Sequence, residues 1–377
     1  MPRYIAQLGN TPALSLAELQ AVFPDFQVTQ LQSHTADFTA EDFDAQAAIE
    51  RLGGTVKLFE VIKTFDHPNP DNIDQAIVEI LSQQEGRITF AIGELGRDHL
   101  PTIEPSDIKE LLQDHDHSVR YIEGSRTGLS AAVLLNKSVT ELLVIQSESE
   151  TVIARTLAVQ DIDSWTQRDR HKPYADRKKG MLPPKVARMM VNLALGKDIT
   201  ADMTVLDPFC GSGTVLLEAA TMGCSVIGSD LDEDAATGTR ENLAWLANAC
   251  NIDITSQVYH KDVSRLQLNQ KVSHLVTEPF LGKPTPRAEQ LPNIFKGLHK
   301  LYLGAFKQWT TLLKPGATVV IVFPEAVDAD TNTRYTLEKL IDKLEDLGYT
   351  TSSESVLYHR PQATVQRSIH QFRFTGN

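Results

Sequence analysis

Apolar and polar residues follow two rhythms along the chain. Over residues 1–65, "RYIAQLG" alternates as a strand, "LSLAELQAVF" takes helical spacing after Ser15, and "VKLFEVIKTF" alternates again. Over residues 66–155 the pattern restarts. It predicts a helix at about 71–83, a strand "RITFAIGEL", a helix "SDIKELLQDH" with Ser106 and Glu110 at cap-like positions, and strands "LSAAVLLN" and "TELLVIQ". Each block is expected to form a small α/β unit. Neither carries a glycine-rich phosphate loop, so both are expected to bind or scaffold rather than catalyse.

After a connecting segment at 156–180, strands and helices alternate regularly over 181–377. "MTVLDPF" reads as a strand, "SGTVLLEAATMG" as its helix, "SVIGSD" as the next strand and "DAATGTRENLAWLANAC" as the next helix. Strands follow near 255–259 and 272–277, then "ATVVIVFP", and the tail "TSSESVLYHR … SIHQFRF" reads as an antiparallel hairpin. The predicted fold class is α/β: a Rossmann-like, mostly parallel sheet with an antiparallel edge, preceded by two smaller α/β domains. Ligand sites in such sheets form outside the carboxyl ends of the strands.

Composition changes this picture in three places. A chain of 377 residues fits two or three domains. The longest apolar runs, such as "ATVVIVF", are too short to span a bilayer, and "MPRYIAQLGN" lacks a charged-then-apolar signal pattern, so a cytoplasmic protein with no membrane partner is expected. Cys210, Cys224 and Cys250 have neither disulfide nor metal-ligand spacing, and no metal is expected. The net charge of −13 argues at first against nucleic acid, but it is unevenly spread. Residues 1–150 hold 10 basic against 24 acidic side chains, whereas residues 151–200 hold 10 against 5. The basic island "RDRHKPYADRKKGMLPPK" places Arg168, Arg170 and Lys172 beside Trp165 and Tyr174, a composition suited to a polyanion contact.

"VLDPFCGSGTVLLEAA", 205–220, is the most informative stretch. A strand enters a tight turn with Gly211 and Gly213, where missing side chains let backbone N–H groups approach a ligand, and a helix starts at once. Two features depart from a dinucleotide site: Leu216 replaces the third glycine, and Asp207 precedes the turn. A carboxylate there repels pyrophosphate and suits a cationic ligand. The next strand ends at Asp230, 17 residues after Gly213, where a carboxylate can accept both ribose hydroxyls. Asp262, after the following strand, is placed for an adenine amine, with Asp232 and Glu233 as nearby alternatives and simple capping as the structural alternative for all these acids. Acid, glycine turn, acid and acid on successive strands point to S-adenosylmethionine.

"DPFCGSGTVLLEAA", "VIGSDLD" and the placement of "TEPFLG" resemble the class I methyltransferases of the THUMP-containing tRNA guanine-N2 family, the guanosine-10 enzymes of archaea and eukaryotes. "YIAQLGNTPALSLAELQAV" and "LSAAVLLNKSVTELLVI" resemble that family's N-terminal and THUMP domains, and "QDIDSWTQRDRHKPYADRKKGMLPPKVARMMVNLA" its junction and first methyltransferase helix. The resemblance implies domains at 1–65 (N-terminal), 66–155 (THUMP-like, RNA-binding), 156–180 (basic junction) and 181–377 (methyltransferase). It implies that Asp207, Gly211 and Gly213 surround the methionine end of the cofactor, that Asp230 holds the ribose and that Asp262 meets the adenine amine, with Pro208, Phe209 and Leu231 also binding the cofactor and Met181 beside the Gly180 turn closing over it. It makes Arg168, Arg170, Lys172, Arg177, Lys178 and Lys179 the candidates for RNA backbone contacts. The partner is then tRNA or another structured RNA. The strongly acidic N-terminal half would also suit a small basic protein partner.

Amine-methylating members of such families carry Asp or Asn, two prolines and an aromatic where this chain has Glu278, Pro279, Phe280 and Leu281. An exocyclic amine is a poor nucleophile, so a side-chain oxygen and a backbone carbonyl must accept its N–H bonds and stabilise the charge developing on nitrogen, while an aromatic stacks on the extruded base. Three roles are open for the motif here. Glu278 reaches the amine and Phe280 takes the stacking role; or Glu278 is a general base for a ring nitrogen or hydroxyl; or the domain binds cofactor or RNA without turnover. Transfer to guanosine N2 in tRNA is the expected activity, with adenine N6 the alternative acceptor. His260, His274 and His370 are expected to be structural.

Overall fold

A computed structural model of the chain describes residues 1–66, 70–95, 103–136, 138–146, 150–176, 181–328, 331–358 and 363–376. They form two compact units, one of Met1–Pro12, Asp25–Arg51 and Thr55–Ser164, the other of Ala13–Pro24, Leu52–Gly54 and Trp165–Asn377.

The first unit contains β1 (Arg3–Leu8), β2 (Thr29–Gln32), β3 (Thr35–Thr39), β4 (Thr55–Asp66), β5 (Ile88–Leu95), β6 (Val119–Tyr121), β7 (Thr140–Gln146) and β8 (Glu150–Val159). They make one sheet in the order β2, β3, β1, β4, β8, β7, β5, β6, parallel only where β5 meets β6 and β7. The predicted boundary at 65 falls at the end of β4, inside this continuous sheet. Helices α1 (Pro12–Val22), α2 (Ala45–Arg51), α3 (Pro70–Ser82), α4 (Pro105–Asp114) and α5 (Ala131–Asn136) interrupt the strands. "LSAAVLLN", expected as a strand, is therefore mostly helix: the Ser130 carbonyl accepts from the Val133 and Leu134 N–H groups and starts α5. A short apolar run has no period that separates the two states. On α4, Pro105 opens the helix and Glu104 is the N-cap, so Ser106 and Glu110 form no cap.

α1 begins at Pro12 rather than after Ser15, and most of it belongs to the second unit. Its buried Glu18 accepts from the Gly53 and Gly54 N–H groups, both at 2.8 Å, and from Asn192 Nδ2 at 2.6 Å. A Cβ on Gly53 would collide with the Lys185 carbonyl, which explains a glycine pair in that turn.

The second unit continues with α6 (Ile162–Arg170), α7 (Pro184–Leu195), β9 (Thr204–Asp207), α8 (Thr214–Thr221), β10 (Ser225–Asp230), α9 (Glu233–Cys250), β11 (Ser256–His260), β12 (Val272–Thr277), α10 (Leu291–Leu312), β13 (Leu313–Val327), β14 (Arg334–Tyr335), α11 (Glu338–Glu345), β15 (Tyr349–Thr351), β16 (Val356–Tyr358) and β17 (Val365–Phe374). The sheet order is β11, β10, β9, β12, β13, β17, β15, with β14 on β13 and β16 on β17. Pairing from β11 through β13 is parallel, and β17 runs antiparallel to its neighbours. Alternate strand residues feed two cores. Val205, Val276, Val320 and Val322 pack with α7 and α8, while Leu206, Leu275, Val319, Ile321 and Phe323 pack with α10. Covering both faces makes "ATVVIVF" continuously apolar.

Candidate active site

The carboxyl ends of β9, β10 and β12 converge on the glycine turn. Gly211 and Gly213 hold φ of +52° and +77°, the left-handed region in which a side chain is strained. Thr239 Oγ1 donates to the Gly211 carbonyl at 2.8 Å, and a Cβ on Gly213 would press on the same threonine. Asp230, the last residue of β10, fixes the turn from the other side. Its Oδ2 accepts from the Gly211 N–H at 2.8 Å and its Oδ1 from the Asp232 N–H at 3.0 Å. Each carboxylate oxygen has a second lone pair, so Asp230 keeps acceptor capacity for a diol. Leu216 is accommodated where a dinucleotide site would carry glycine because the strand supplies the small residue: a Cβ on Gly228 would strike Leu216 Cδ1.

Asp207 is 2 % exposed. Its Oδ1 accepts from Thr277 Oγ1 at 2.6 Å and from the Phe209 N–H at 3.1 Å. Burial pushes its carboxyl up to about 7, and the like charges of Asp230 and Glu278 push the same way, against the two hydrogen bonds. Asp207 faces an open cleft whose walls include Tyr174, Met181, Phe209, Gly211 and Glu278. A buried carboxylate repelled by two others fits a ligand bearing an ammonium and a sulfonium, and the turn and Asp230 fit its nucleoside. S-adenosylmethionine matches this donor set.

Glu278 follows directly on β12 and lines the same cleft. Its Oε1 is paired with Arg367 Nε, reaching across from β17. Two residues later the chain turns outward. Phe280 is 62 % exposed, while Leu281 packs on the core beside α7 and α8. The buried Tyr302 hydroxyl on α10 donates to the Phe280 carbonyl at 3.0 Å, and Gly282 at φ +92° completes the turn. Phe280 is thus the exposed aromatic of the motif.

The family model described as UPF0020, RMKL-like, methyltransferase domain, matches residues 173–330. A tRNA (guanine(10)-N2)-dimethyltransferase of Methanothermobacter thermautotrophicus is 29 % identical over 371 residues, 96 % of each chain. A "Probable tRNA (guanine(10)-N2)-dimethyltransferase" of Methanothermococcus thermolithotrophicus is 37 % identical over 117 residues, 30 % of this chain and 70 % of that one. The chain belongs to this methyltransferase family. The crystal structure of TrmN from Thermus thermophilus shares the fold, with a TM-score of 0.57 and 17 % identity over 99 % of this chain and 100 % of that one. The enzyme is a methyltransferase dependent on S-adenosylmethionine.

Other residues singled out in the sequence fall less evenly in the methyltransferase. Pro208 is buried in the turn, and Leu231, 69 % exposed, follows Asp230 at its rim. Asp262, like Asp230, is outside the cleft walls, but unlike Asp230 it makes no bond to the glycine turn among the described residues. Its Oδ1 accepts from the Ser264 N–H and Oγ at 2.8 and 2.7 Å, bonds that hold its carboxyl below the usual range. Asp232 caps α9 through the Asp234 and Ala235 N–H groups. Burial lowers His274 and His370 to about 4, so both are neutral, and His260 pairs with the Leu231 carbonyl.

The basic junction needs correction. Arg168 is buried, with Nε on Glu218 Oε1 at 2.8 Å and its guanidinium 4.3 Å from the centre of the Trp165 ring. Lys172 is buried with Nζ on Thr214 Oγ1 at 3.0 Å. Neither is available to a phosphate, because a buried acid and a hydroxyl on α8 hold them. Arg170 is exposed, whereas Arg177, Lys178 and Lys179 lie outside the described residues. The junction instead builds the cleft wall. Asn242 Oδ1 accepts from the Tyr174 N–H, its Nδ2 donates to the Tyr174 and Ser212 carbonyls, and the Tyr174 ring lies where a Cβ on Gly238 would be. Asn242 and Glu218, polar residues on otherwise apolar helix faces, carried a readable signal. Arg367 and Tyr302 carried none.

Proposed function

We propose that the methyltransferase acts on the exocyclic N2 amine of a guanosine in tRNA. The observation that carries this is the pairing of Glu278 Oε1 with Arg367, which leaves Oε2 with no partner among the described residues, beside an exposed Phe280. The curated relatives, named for this activity, support the same acceptor. When bound, the cofactor supplies an electrophilic methyl group on a cationic sulfur. Glu278 Oε2 accepts one amine N–H and the Pro279 carbonyl the other, which orients the nitrogen lone pair and stabilises its developing charge. The proton that the amine loses on taking up the methyl group would pass to Glu278. Phe280 stacks on the base.

Asp207 holds the methionine end and Asp230 the ribose, with Gly211, Gly213, Phe209 and Met181 around them; Asp262 is assigned to cofactor only at the open adenine end. Glu278, Pro279 and Phe280 are the reacting motif. In the same assignment, residues 1–155, with a THUMP-like domain over 66–155, hold the RNA, and the exposed Arg170 contacts its backbone.

The test is transfer of labelled methyl from S-adenosylmethionine to unmodified bulk tRNA, with duplex DNA in parallel, followed by nucleoside analysis. N2-methylated guanosine is expected. Label on adenine N6, or on a ring nitrogen or ribose hydroxyl, would replace the proposed acceptor.

A further inference from the structure

The guanidinium of Arg367 is only partly engaged. Arg367 lies opposite Pro324 in the β17–β13 ladder and reaches past β13 to the end of β12. It is 7 % exposed, and among the described residues only its Nε has a side-chain partner, Glu278 Oε1. Its two terminal nitrogens carry four further N–H donors in a rigid plane. Around the Nε–Oε1 pair the two side chains therefore offer, taken in the order guanidinium end, Oε1, Oε2, donors, an acceptor that is already paired and an acceptor without a partner among the described residues.

That order has a chemical complement. The Watson–Crick edge of guanine runs O6 acceptor, N1–H donor, N2–H donor. We infer that Arg367 is a specificity-determining residue that donates to guanine O6 while Glu278 accepts from N1–H and N2–H, so that the ion pair reads the base as cytosine does. The inference rests on guanosine as the acceptor. Adenine presents an amine where Arg367 donates and a bare N1 where Glu278 accepts, two mismatches that leave buried polar groups unpaired. The ion pair also explains how a glutamate functions where aspartate or asparagine is usual. Its longer stem is drawn toward β17, and a cation offsets a third acid beside Asp207 and Asp230.

The experiment compares an RNA carrying guanosine at the methylated position with one carrying 2-aminopurine there, which keeps the C2 amine but lacks O6 and N1–H. Transfer by the wild type, Arg367→Leu and Arg367→Lys is measured as kcat/KM, with S-adenosylmethionine binding by calorimetry as the control for folding. Arg367→Leu is expected to lose roughly tenfold or more on guanosine and less than about twofold on 2-aminopurine. Equal loss on both bases would reduce Arg367 to a support for Glu278, and undiminished transfer to guanosine would remove it from recognition. Either result overturns the inference. If Arg367→Leu binds cofactor poorly, Arg367→Lys decides. It keeps the charge beside Glu278 but lacks the planar fork, and absence of the same selective loss overturns the inference. Failure of the underlying acceptor assignment shows separately, as a wild type that places no methyl on guanine N2.

Discussion

The two halves of the site differ in how far their partners lie along the chain. The cofactor half is mostly local: Asp207, the glycine turn and Asp230 fall within 24 consecutive positions, and apart from the Thr277 hydroxyl on Asp207 their bonds run to one another or to the neighbouring α9. The acceptor half is assembled from a distance. Glu278 meets Arg367 across 89 positions, and the Phe280 carbonyl meets Tyr302 across 22. Local constellations leave a recognisable word in the sequence. Distant ones do not, because neither member marks the other along the chain, and here a glutamate is held by an arginine from another strand.

Breaking each half separately should separate binding from turnover. The largest expected effect is on Glu278→Gln, which should lower kcat by about 10²–10³-fold with cofactor affinity within about twofold. A parallel loss of affinity would put Glu278 in the cofactor half. Next, Asp230→Ala should weaken S-adenosylmethionine by about 100-fold in calorimetry, since it releases the Gly211 N–H and, in the proposed assignment, removes two charge-assisted bonds to the ribose.

Asp207 sharpens the comparison through pH. With its carboxyl raised to about 7 in the fold against about 4 in the unfolded chain, the native state holds a proton that the unfolded state has released between those values. Without cofactor, stability should therefore fall as pH rises from about 4 to 7 and level off above. A cationic ligand favours the ionised carboxylate, so cofactor affinity should run the other way. It should rise by up to about tenfold per pH unit toward 7 and then flatten. Asp207→Asn should abolish both slopes, which thermal unfolding and calorimetry across pH 5 to 8.5 would test. The smallest effect is expected at the rim: Phe280→Ala should raise KM for RNA by about tenfold, near the low end of the worth of one stacked base, and leave cofactor binding unchanged. An equal effect from Leu281→Ala would contradict the exchange of places between these two side chains.

Legibility followed the same division. The strand, turn and helix at 204–221 stood in the sequence because glycines with positive φ and an acid before them have few other uses. The tail hairpin was legible as β16 and β17, but nothing in "VQRSIHQFRF" marked Arg367 among ordinary strand residues. Charge misled in the junction. Arg168 and Lys172 look like surface cations until Glu218 and Thr214 on α8 are seen beneath them, and a lone acid in "LLEAA" does not announce its partner. The helix at Ala131–Asn136 failed for another reason, since six residues are too few to establish a period.

By itself the sequence determined the α/β alternation, the nucleoside-binding turn and the class of cofactor, because backbone conformation and short-range hydrogen bonding depend on residues close in the chain. Tertiary structure alone decided which side chain of the motif is exposed, which junction cations are buried and which residue holds Glu278. Those depend on burial and on pairing between strands, and both are set only when β12, β13 and β17 lie side by side.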